Sequence, residues 1–212
     1  PAVLLGGTDL TPFEVTGFYQ TITSDGFNTP LRAIVEVLDA NNKALSRYPL
    51  AVKQRFQPQA IALLTEALKS VVREGTARSV YSTLPASISV AGKTGTTNGM
   101  RDSWFAGFSE DYLAIVWLGR DDNEPTPFTG ATGALRIWTD IMNQLPIHSL
   151  QPYQGEDIRT LWYDPYSAMR TGPGCPGAVL IPMHIESIPD QSTNCQGVQR
   201  SPVLDTIRSW FH

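Results

Sequence analysis

Three short segments in the middle of the chain most constrain what it can fold into. Residues 87–91 alternate small polar with apolar side chains, residues 103–108 are rich in aromatic side chains, and residues 112–118 form an apolar run. Each pattern is typical of a β-strand, and the last is typical of a strand buried within a sheet. The connections between them are short and polar, and short connections join antiparallel neighbours. The sequence therefore predicts a three-stranded antiparallel meander.

A polar motif follows the first of these segments, and its side chains suit the capture of an acyl donor. The Lys93 ammonium supplies positive potential for a substrate carboxylate, and the Thr94 hydroxyl can bind the same carboxylate. Gly95 lets a planar acyl group approach the backbone, so the Thr96 N–H can point at a developing oxyanion while its hydroxyl shares the carboxylate. We predict Lys93 and Thr96 as catalytic residues and Thr94, Gly95 and Thr97 as substrate-binding residues.

A lysine-threonine-glycine tripeptide alone is a weak signal, because it also arises by chance at the end of an ordinary strand. Here it stands in a longer ordered context. Several further stretches follow the pattern of one family, at residues 4–7, 11–15, 71–77, 91–97, 104–107, 119–126 and 130–134. On these stretches the chain resembles the C-terminal part of a class A penicillin-binding protein, a bifunctional peptidoglycan synthase, and is most like the 1b type. The resemblance covers roughly the first 145 residues closely.

The resemblance implies a fold and a reaction. The fold is α/β (α+β) in three layers, with an antiparallel sheet between helices, and this chain supplies only part of the domain. The reaction is serine acyl transfer, in which a D-Ala-D-Ala stem peptide is attacked and passed to an amine on a neighbouring stem, and β-lactams acylate the same serine. The implied partners are peptidoglycan stem peptides, the lipid-linked precursor and β-lactam antibiotics, and no cofactor is implied. The implied location is the periplasmic face of the bacterial inner membrane.

The family orders three motifs along its domain, Ser-x-x-Lys, Ser-x-Asn and Lys-Thr-Gly, and only the last stands in its place here. No Ser-x-x-Lys occurs in the chain. Ser192-Thr193-Asn194 fits the second pattern by letters, but it follows Lys93 in chain order, so we predict a tail loop there. We therefore expect the nucleophilic serine and its activating lysine upstream of Pro1.

We predict two parts in the chain. Residues 1–147 form the C-terminal half of the transpeptidase domain, and residues 148–212 form a Gly/Pro-rich appendage that ends in a helix over residues 202–211. Cys175 and Cys195 are the only cysteines. A disulfide between them would staple the appendage in an oxidising compartment, and the alternative is two unrelated reduced thiols.

Three further helices and a hairpin complete the prediction for the first part. Thr11-Pro12-Phe13-Glu14 is a capping box that begins a helix running to about Ser24. Apolar residues recur at helical spacing over residues 58–74 and again over residues 134–142. Two strands flank a polar turn in a small hairpin, over residues 31–38 and 44–48.

Composition excludes several functions. With 16 basic against 20 acidic residues and no dense basic cluster, the chain has no nucleic-acid footprint. His148, His184 and His212 are scattered, so we predict no metal site. The apolar run at residues 112–118 is far shorter than the roughly 20 residues that span a bilayer, so we expect membrane attachment only through upstream sequence.

We read Asp121-Asp122 as structural, with one of them paired to Arg120 or Arg101.

Two alternative functions stay open at this point. A D,D-carboxypeptidase or serine β-lactamase would use the same strand motif but pass the acyl group to water. A non-catalytic, disulfide-stapled envelope binding module would use Lys93 only to end a strand.

Overall fold

The structure is a computed structural model, and it describes residues 9–194. The helices are α1 (Pro12–Thr23), α2 (Pro58–Arg73) and α3 (Ala134–Asn143). The strands before and within the predicted meander are β1 (Phe27–Asn28), β2 (Glu36–Leu38), β3 (Ala44–Arg47), β4 (Lys53–Gln54), β5 (Ala91–Thr96), β6 (Ser103–Phe108) and β7 (Leu113–Leu118). Three more strands follow α3, β8 (Ile158–Asp164), β9 (Met169–Arg170) and β10 (Val179–His184).

Helix α1 begins and ends as its sequence predicts. The Glu14 N–H donates to Thr11 Oγ1 at 3.2 Å, and the Thr11 N–H donates to Glu14 Oε2 at 2.8 Å, which completes the capping box. Asp25 and Gly26 then adopt positive φ angles of 50° and 90°, which stop the helix and turn the chain. The β2–β3 hairpin is confirmed as well, although its strands are shorter than predicted.

The meander is confirmed, with strand order β5-β6-β7 and antiparallel pairing throughout. The predicted first strand is wrong in its bounds, because β5 covers residues 91–96 and residues 87–90 lie outside it. A turn occupies the earlier residues, since the Ile88 N–H donates to the Pro85 carbonyl. Ser89 instead bonds to the segment after α3, where the Leu150 N–H donates to its carbonyl. The polar motif at Gly92 and Lys93, which was expected to follow the strand, therefore lies within it.

Helices cover both faces of this sheet, which confirms the predicted three-layer fold. On one face, Trp138 of α3 packs edge-on against Phe105 of β6 with ring centroids 5.0 Å apart, and both side chains are fully buried. On the other face, Tyr19 of α1 packs edge-on against Phe108 at 6.4 Å. Successive side chains of a strand point to opposite faces, so Phe105 and Phe108 belong to different layers.

Helix α2 connects the two layers beside β5. Its Val72 lies in the buried cluster around Phe105 and Trp138, whereas Leu68 lies in the cluster around Phe108. Apolar residues four positions apart share one side of a helix, as the sequence predicts. The helix ends at Arg73, and residues 74–77 lead from it toward the outer edge of β5.

A further three-stranded sheet follows α3, and the sequence did not predict it. Its strand order is β10-β8-β9, and β10 pairs with β8 along all six of its residues. Pro182 lies in β10, an edge strand, where a residue without an N–H is tolerated. Ser192, read as a tail loop, forms an isolated bridge with Arg170 beside this sheet.

Some predictions fall outside the described residues. Cys195 and the helix over residues 202–211 belong to the undescribed end, so the disulfide and the terminal helix stay predictions. Within the described part, the Thr171 hydroxyl donates to Cys175 Sγ at 2.7 Å.

We predict that Gly107→Ala destabilises the fold. A Cβ at this position would lie 2.5 Å from Phe105 Cε1 and 2.9 Å from Trp138 Cε2, so two rigid buried rings would have to move. Overpacking of this kind costs about 1–3 kcal/mol of unfolding free energy.

The matched control is Gly17→Ala in α1, where a Cβ would meet nothing within 4 Å. This change should stabilise the helix by about 0.5–1 kcal/mol, because alanine has the higher helix propensity. Urea unfolding of both variants checks the pair, and equal midpoints would contradict the packing that we describe.

Candidate active site

Strand β5 places four predicted site residues along one edge of the sheet. Lys93, Thr94, Gly95 and Thr96 pair in register with residues 103–106 of β6. Within residues 9–194, β5 has no strand neighbour on its other side. Backbone N–H and C=O groups on that side therefore have no strand partner.

The direction of the Thr96 N–H follows from the turn after the strand. The Thr97 N–H donates to the Asp102 carbonyl at 3.2 Å, toward β6. Successive residues of an antiparallel strand point their backbone groups to opposite sides. The Thr96 N–H therefore points away from β6 to the open edge, as an oxyanion donor requires.

Lys93 brings its ammonium to the same edge. Its Nζ donates to the Thr94 carbonyl oxygen at 2.8 Å, and this carbonyl belongs to the set that points away from β6. Among the described residues Lys93 makes no ion pair with a carboxylate. Partial burial lowers the pKa of Lys93 below its ordinary value, because desolvation disfavours the charged form. A ligand carboxylate at this edge would supply the negative charge that Lys93 lacks among the described residues.

The Thr94 hydroxyl has a partner that the sequence analysis did not single out. Thr94 Oγ1 and Thr76 Oγ1 lie 2.7 Å apart, and either hydroxyl can be the donor. Thr76 lies just after α2, in a stretch that the sequence analysis noted for its family resemblance. No spacing rule links residues 76 and 94, so only the fold could reveal the pair.

The Thr96 hydroxyl has a hydrogen-bond partner in the loop before α3. The Gly130 N–H donates to Thr96 Oγ1 at 2.9 Å. A Cβ on Gly130 would lie 2.6 Å from the Gly95 carbonyl oxygen and 2.8 Å from the Trp104 carbonyl oxygen. Only glycine lets this loop approach the strand closely enough to make the bond.

Thr97 has a different role from its neighbours. Its hydroxyl donates to Asp102 Oδ2 at 3.0 Å and accepts from the Asp102 N–H at 2.9 Å. The other carboxylate oxygen, Asp102 Oδ1, accepts from Trp117 Nε1 at 2.8 Å. Asp102 thus braces the end of β5 against β7, and the binding role predicted for Thr97 stays a prediction.

A cleft of about 630 Å³ lies next to the strand edge, between residues 74–83 and α3. Thr76 lines this cleft and also bonds Thr94 of β5. Arg78 and Arg136 contribute positive charge to its walls, and Glu74 and Asp140 contribute negative charge.

Other predicted residues lie away from this edge. Arg120 Nε donates to Asp122 Oδ1 at 2.8 Å on the surface, so the predicted pairing is confirmed for these two residues. The ion pair lowers the pKa of Asp122 and raises that of Arg120. His148 bonds Asp111 at 3.0 Å, and His184 lies 3.9 Å from Glu186.

Within residues 9–194, no cluster of three or more His, Cys, Asp or Glu side chains is arranged to hold a metal ion. In the same residues no helix has the length and apolar character to cross a bilayer.

Comparison with known families identifies the class of domain that carries this strand edge. The family model described as the penicillin binding protein transpeptidase domain matches residues 5–134, which include α1, α2 and the whole meander. The chain belongs to the penicillin-binding protein transpeptidase family. Neither alternative function is favoured by this match.

Individual relatives refine the comparison. The chain is 42% identical over 163 residues to penicillin-binding protein 1B of Vibrio cholerae, covering 77% of this chain and 21% of that protein. It is 39% identical over 165 residues to penicillin-binding protein 1B of Escherichia coli, covering 77% of this chain and 19% of that protein. The predicted resemblance to the 1b type is confirmed. The chain spans about a fifth of the length of these relatives.

A solved structure supports the fold. Penicillin-binding protein 1A from Haemophilus influenzae superposes with a TM-score of 0.76 over 87% of this chain and 33% of that chain, at 18% sequence identity. The likeness extends past the meander into the residues that follow α3, because it covers more of the chain than the family match does.

We predict that Lys93→Met raises the thermal unfolding midpoint at pH 7. The lowered pKa of Lys93 means that the folded state holds this proton less tightly than the unfolded state. Between the lowered pKa and the ordinary lysine value the unfolded state binds more protons, so the stability contribution rises with pH. The increase in unfolding midpoint caused by Lys93→Met should therefore become smaller as pH rises from the lowered pKa of Lys93 to the ordinary lysine value.

The matched control is Lys43→Met, at a lysine in the turn between β2 and β3, outside the candidate site. It should leave the midpoint nearly unchanged. A lower midpoint for Lys93→Met at pH 7 would show that desolvation does not dominate at this lysine.

We predict that Gly130→Ala weakens the acylation by penicillin that we propose for the full-length protein. The added Cβ would push the loop away from β5 and break its bond to Thr96 Oγ1. The expected loss is about tenfold, the upper end of what one net hydrogen bond contributes. The second-order rate constant of acylation, which includes binding, measures it in the full-length protein, with Gly172→Ala as control because its Cβ would meet nothing within 4 Å. An equal loss in the control would contradict this role for Gly130.

Proposed function

We propose that this chain is the Lys-Thr-Gly part of a peptidoglycan D,D-transpeptidase, within a bifunctional enzyme that also carries a glycosyltransferase domain. One observation carries the proposal. The open edge of β5 presents the Lys93 ammonium and the Thr96 N–H together, with the Thr94 hydroxyl held by Thr76 beside them. These groups are the ones that an acyl donor with a free carboxylate requires.

Each group has a role in the proposed reaction. A serine hydroxyl attacks the carbonyl carbon of the D-Ala-D-Ala peptide bond, and its proton passes to a base. The tetrahedral oxyanion accepts a hydrogen bond from the Thr96 N–H, while Lys93 and the Thr94 and Thr96 hydroxyls bind the terminal carboxylate. Collapse of the intermediate breaks the peptide bond and releases D-alanine with a proton. The amine of a second stem then attacks the acyl-serine, forms the cross-link and returns the proton to the serine.

The nucleophile is proposed to lie in sequence preceding Pro1. The absence of Ser-x-x-Lys from the 212 residues supports this assignment, as does the share of the relatives that the chain spans. We propose residues 1–147 as the C-terminal half of the catalytic domain and residues 148–212 as an appendage. A disulfide between Cys175 and Cys195 is proposed to close the appendage.

The proposed setting is the periplasmic face of the bacterial inner membrane, with the lipid-linked precursor supplied to the glycosyltransferase domain. The proposed partners of the β5 edge are stem peptides and the β-lactams that mimic them. No cofactor is proposed for transpeptidation, because the charges that develop can be met by the backbone and by Lys93.

Fluorescent penicillin tests the proposal on the full-length protein. We expect covalent labelling of the full-length protein, and Lys93→Ala should slow it by roughly a hundredfold, the loss typical of removing one partner of a desolvated charge pair. Lys43→Ala is the control and should label like the unchanged protein.

Two outcomes would contradict the proposal. Unchanged labelling of Lys93→Ala would remove β5 from the acylation site. Product analysis with stem peptides separates transfer from hydrolysis, because a carboxypeptidase releases D-alanine without forming cross-linked dimers.

A further inference from the structure

We propose that Thr76 is a positioning residue that orients the Thr94 hydroxyl toward the carboxylate of the acyl donor. The inference rests on the proposed function and extends it to a residue outside β5. Thr76 Oγ1 lies 2.7 Å from Thr94 Oγ1, the usual distance of a hydrogen bond between two hydroxyls. Among residues 9–194, neither hydroxyl has another hydrogen-bond partner.

The chemistry of a hydroxyl decides what this contact can do. A threonine hydroxyl has one proton to donate and two lone pairs to accept with. If Thr94 donates to Thr76, it has no proton left for a carboxylate. When an anionic ligand lies at the edge, Thr94 donates to the anion and Thr76 donates to Thr94. Hydrogen bonds in such a chain polarise and strengthen each other.

The neighbouring hydroxyl shows the same arrangement with a fixed donor. Thr96 Oγ1 accepts from the Gly130 N–H at 2.9 Å, and a backbone N–H can only donate. The Thr96 proton is therefore free for a ligand. Thr76 can donate to Thr94 Oγ1 in the same way that the Gly130 N–H donates to Thr96 Oγ1. In both cases the donor lies outside β5. Both strand hydroxyls are thus prepared to donate toward the substrate.

The backbone around Thr76 is held firmly enough for a positioning role. The Gly75 and Ala77 N–H groups both donate to the Val71 carbonyl, at 3.1 Å and 3.2 Å. Ala77 is fully buried in the cluster around Trp138. A Cβ on Gly75 would lie 2.9 Å from the Val71 carbonyl oxygen, so the close turn after α2 requires glycine. Thr76 is therefore fixed on both sides by residues that pack or bond to α2.

The test uses Thr76→Val in the full-length protein, since valine keeps the shape and removes the hydroxyl. Two constants are measured for a penicillin, the dissociation constant of the non-covalent complex and the rate constant of acylation. We expect the dissociation constant to rise about fivefold, the size of one net hydrogen bond. The acylation rate constant should not change, because a carboxylate contact is made equally in the ground state and the transition state.

Two comparisons separate positioning from a merely structural role. The methyl ester of the same penicillin lacks the carboxylate, so Thr76→Val should not weaken its binding. Thr76→Ser restores the hydroxyl and should restore binding of the acid to within about twofold. Thr76→Val in a Thr94→Val background should have no further effect, because coupled residues are not additive.

Several results would overturn the inference. Equal weakening of the acid and the ester, failure of Thr76→Ser to rescue, or additive losses in the double variant would each do so. If Thr76→Val folds poorly by thermal unfolding, Thr76→Ala is measured in its place, with the same expected losses. Normal labelling of the parent protein and loss in Lys93→Ala, with Thr76→Val unchanged, would refute this inference alone. No labelling of the parent protein, or unchanged labelling of Lys93→Ala, would instead refute the proposed function.

Discussion

The packing of Trp138 on β6 is the contact on which the rest of the structure depends. The ring lies edge-on to Phe105, and its Nε1 donates to the Gly107 carbonyl at 3.1 Å, so one side chain fixes α3 to the central strand. The N-terminal end of α3 is held as well, because Ser103 Oγ accepts from the Ala134 N–H and donates to the Thr129 carbonyl. These bonds set the position of Gly130, which in turn holds Thr96. The apolar core therefore determines the geometry of the polar edge.

The partly desolvated Lys93 costs stability, and the proposed function accounts for that cost. Lys93 lies in a partly desolvated position without an acidic partner among the described residues, which lowers its pKa and disfavours its charge. An ion pair with a protein carboxylate would remove that cost, but it would also occupy the place that we propose for the substrate carboxylate. Active sites commonly accept such local instability where a ligand supplies the missing interaction. The open edge of β5 follows the same logic, because unpaired backbone groups are available to bind a peptide.

Local signals predicted the parts of the fold that local interactions stabilise. The capping box at Thr11 and the apolar periodicity of α2 and α3 depend on residues three or four positions apart, and all three helices were found. The start of β5 was misplaced, because alternation over residues 87–90 imitates a strand while Ser89 bonds to residues far along the chain. The sheet β10-β8-β9 was missed because Pro182 and the glycine-rich turns hide its pattern.

The sequence by itself determined the family and the residues that form the candidate strand, since the motif and its flanking stretches are contiguous and ordered. Only the tertiary structure decided how those residues are used. It directed the Thr96 N–H to the open edge and brought Thr76 and Gly130 to the strand hydroxyls. Hydrogen bonds between residues 18 to 34 positions apart depend on how helices and loops pack against the sheet, and no local pattern in the chain encodes that packing.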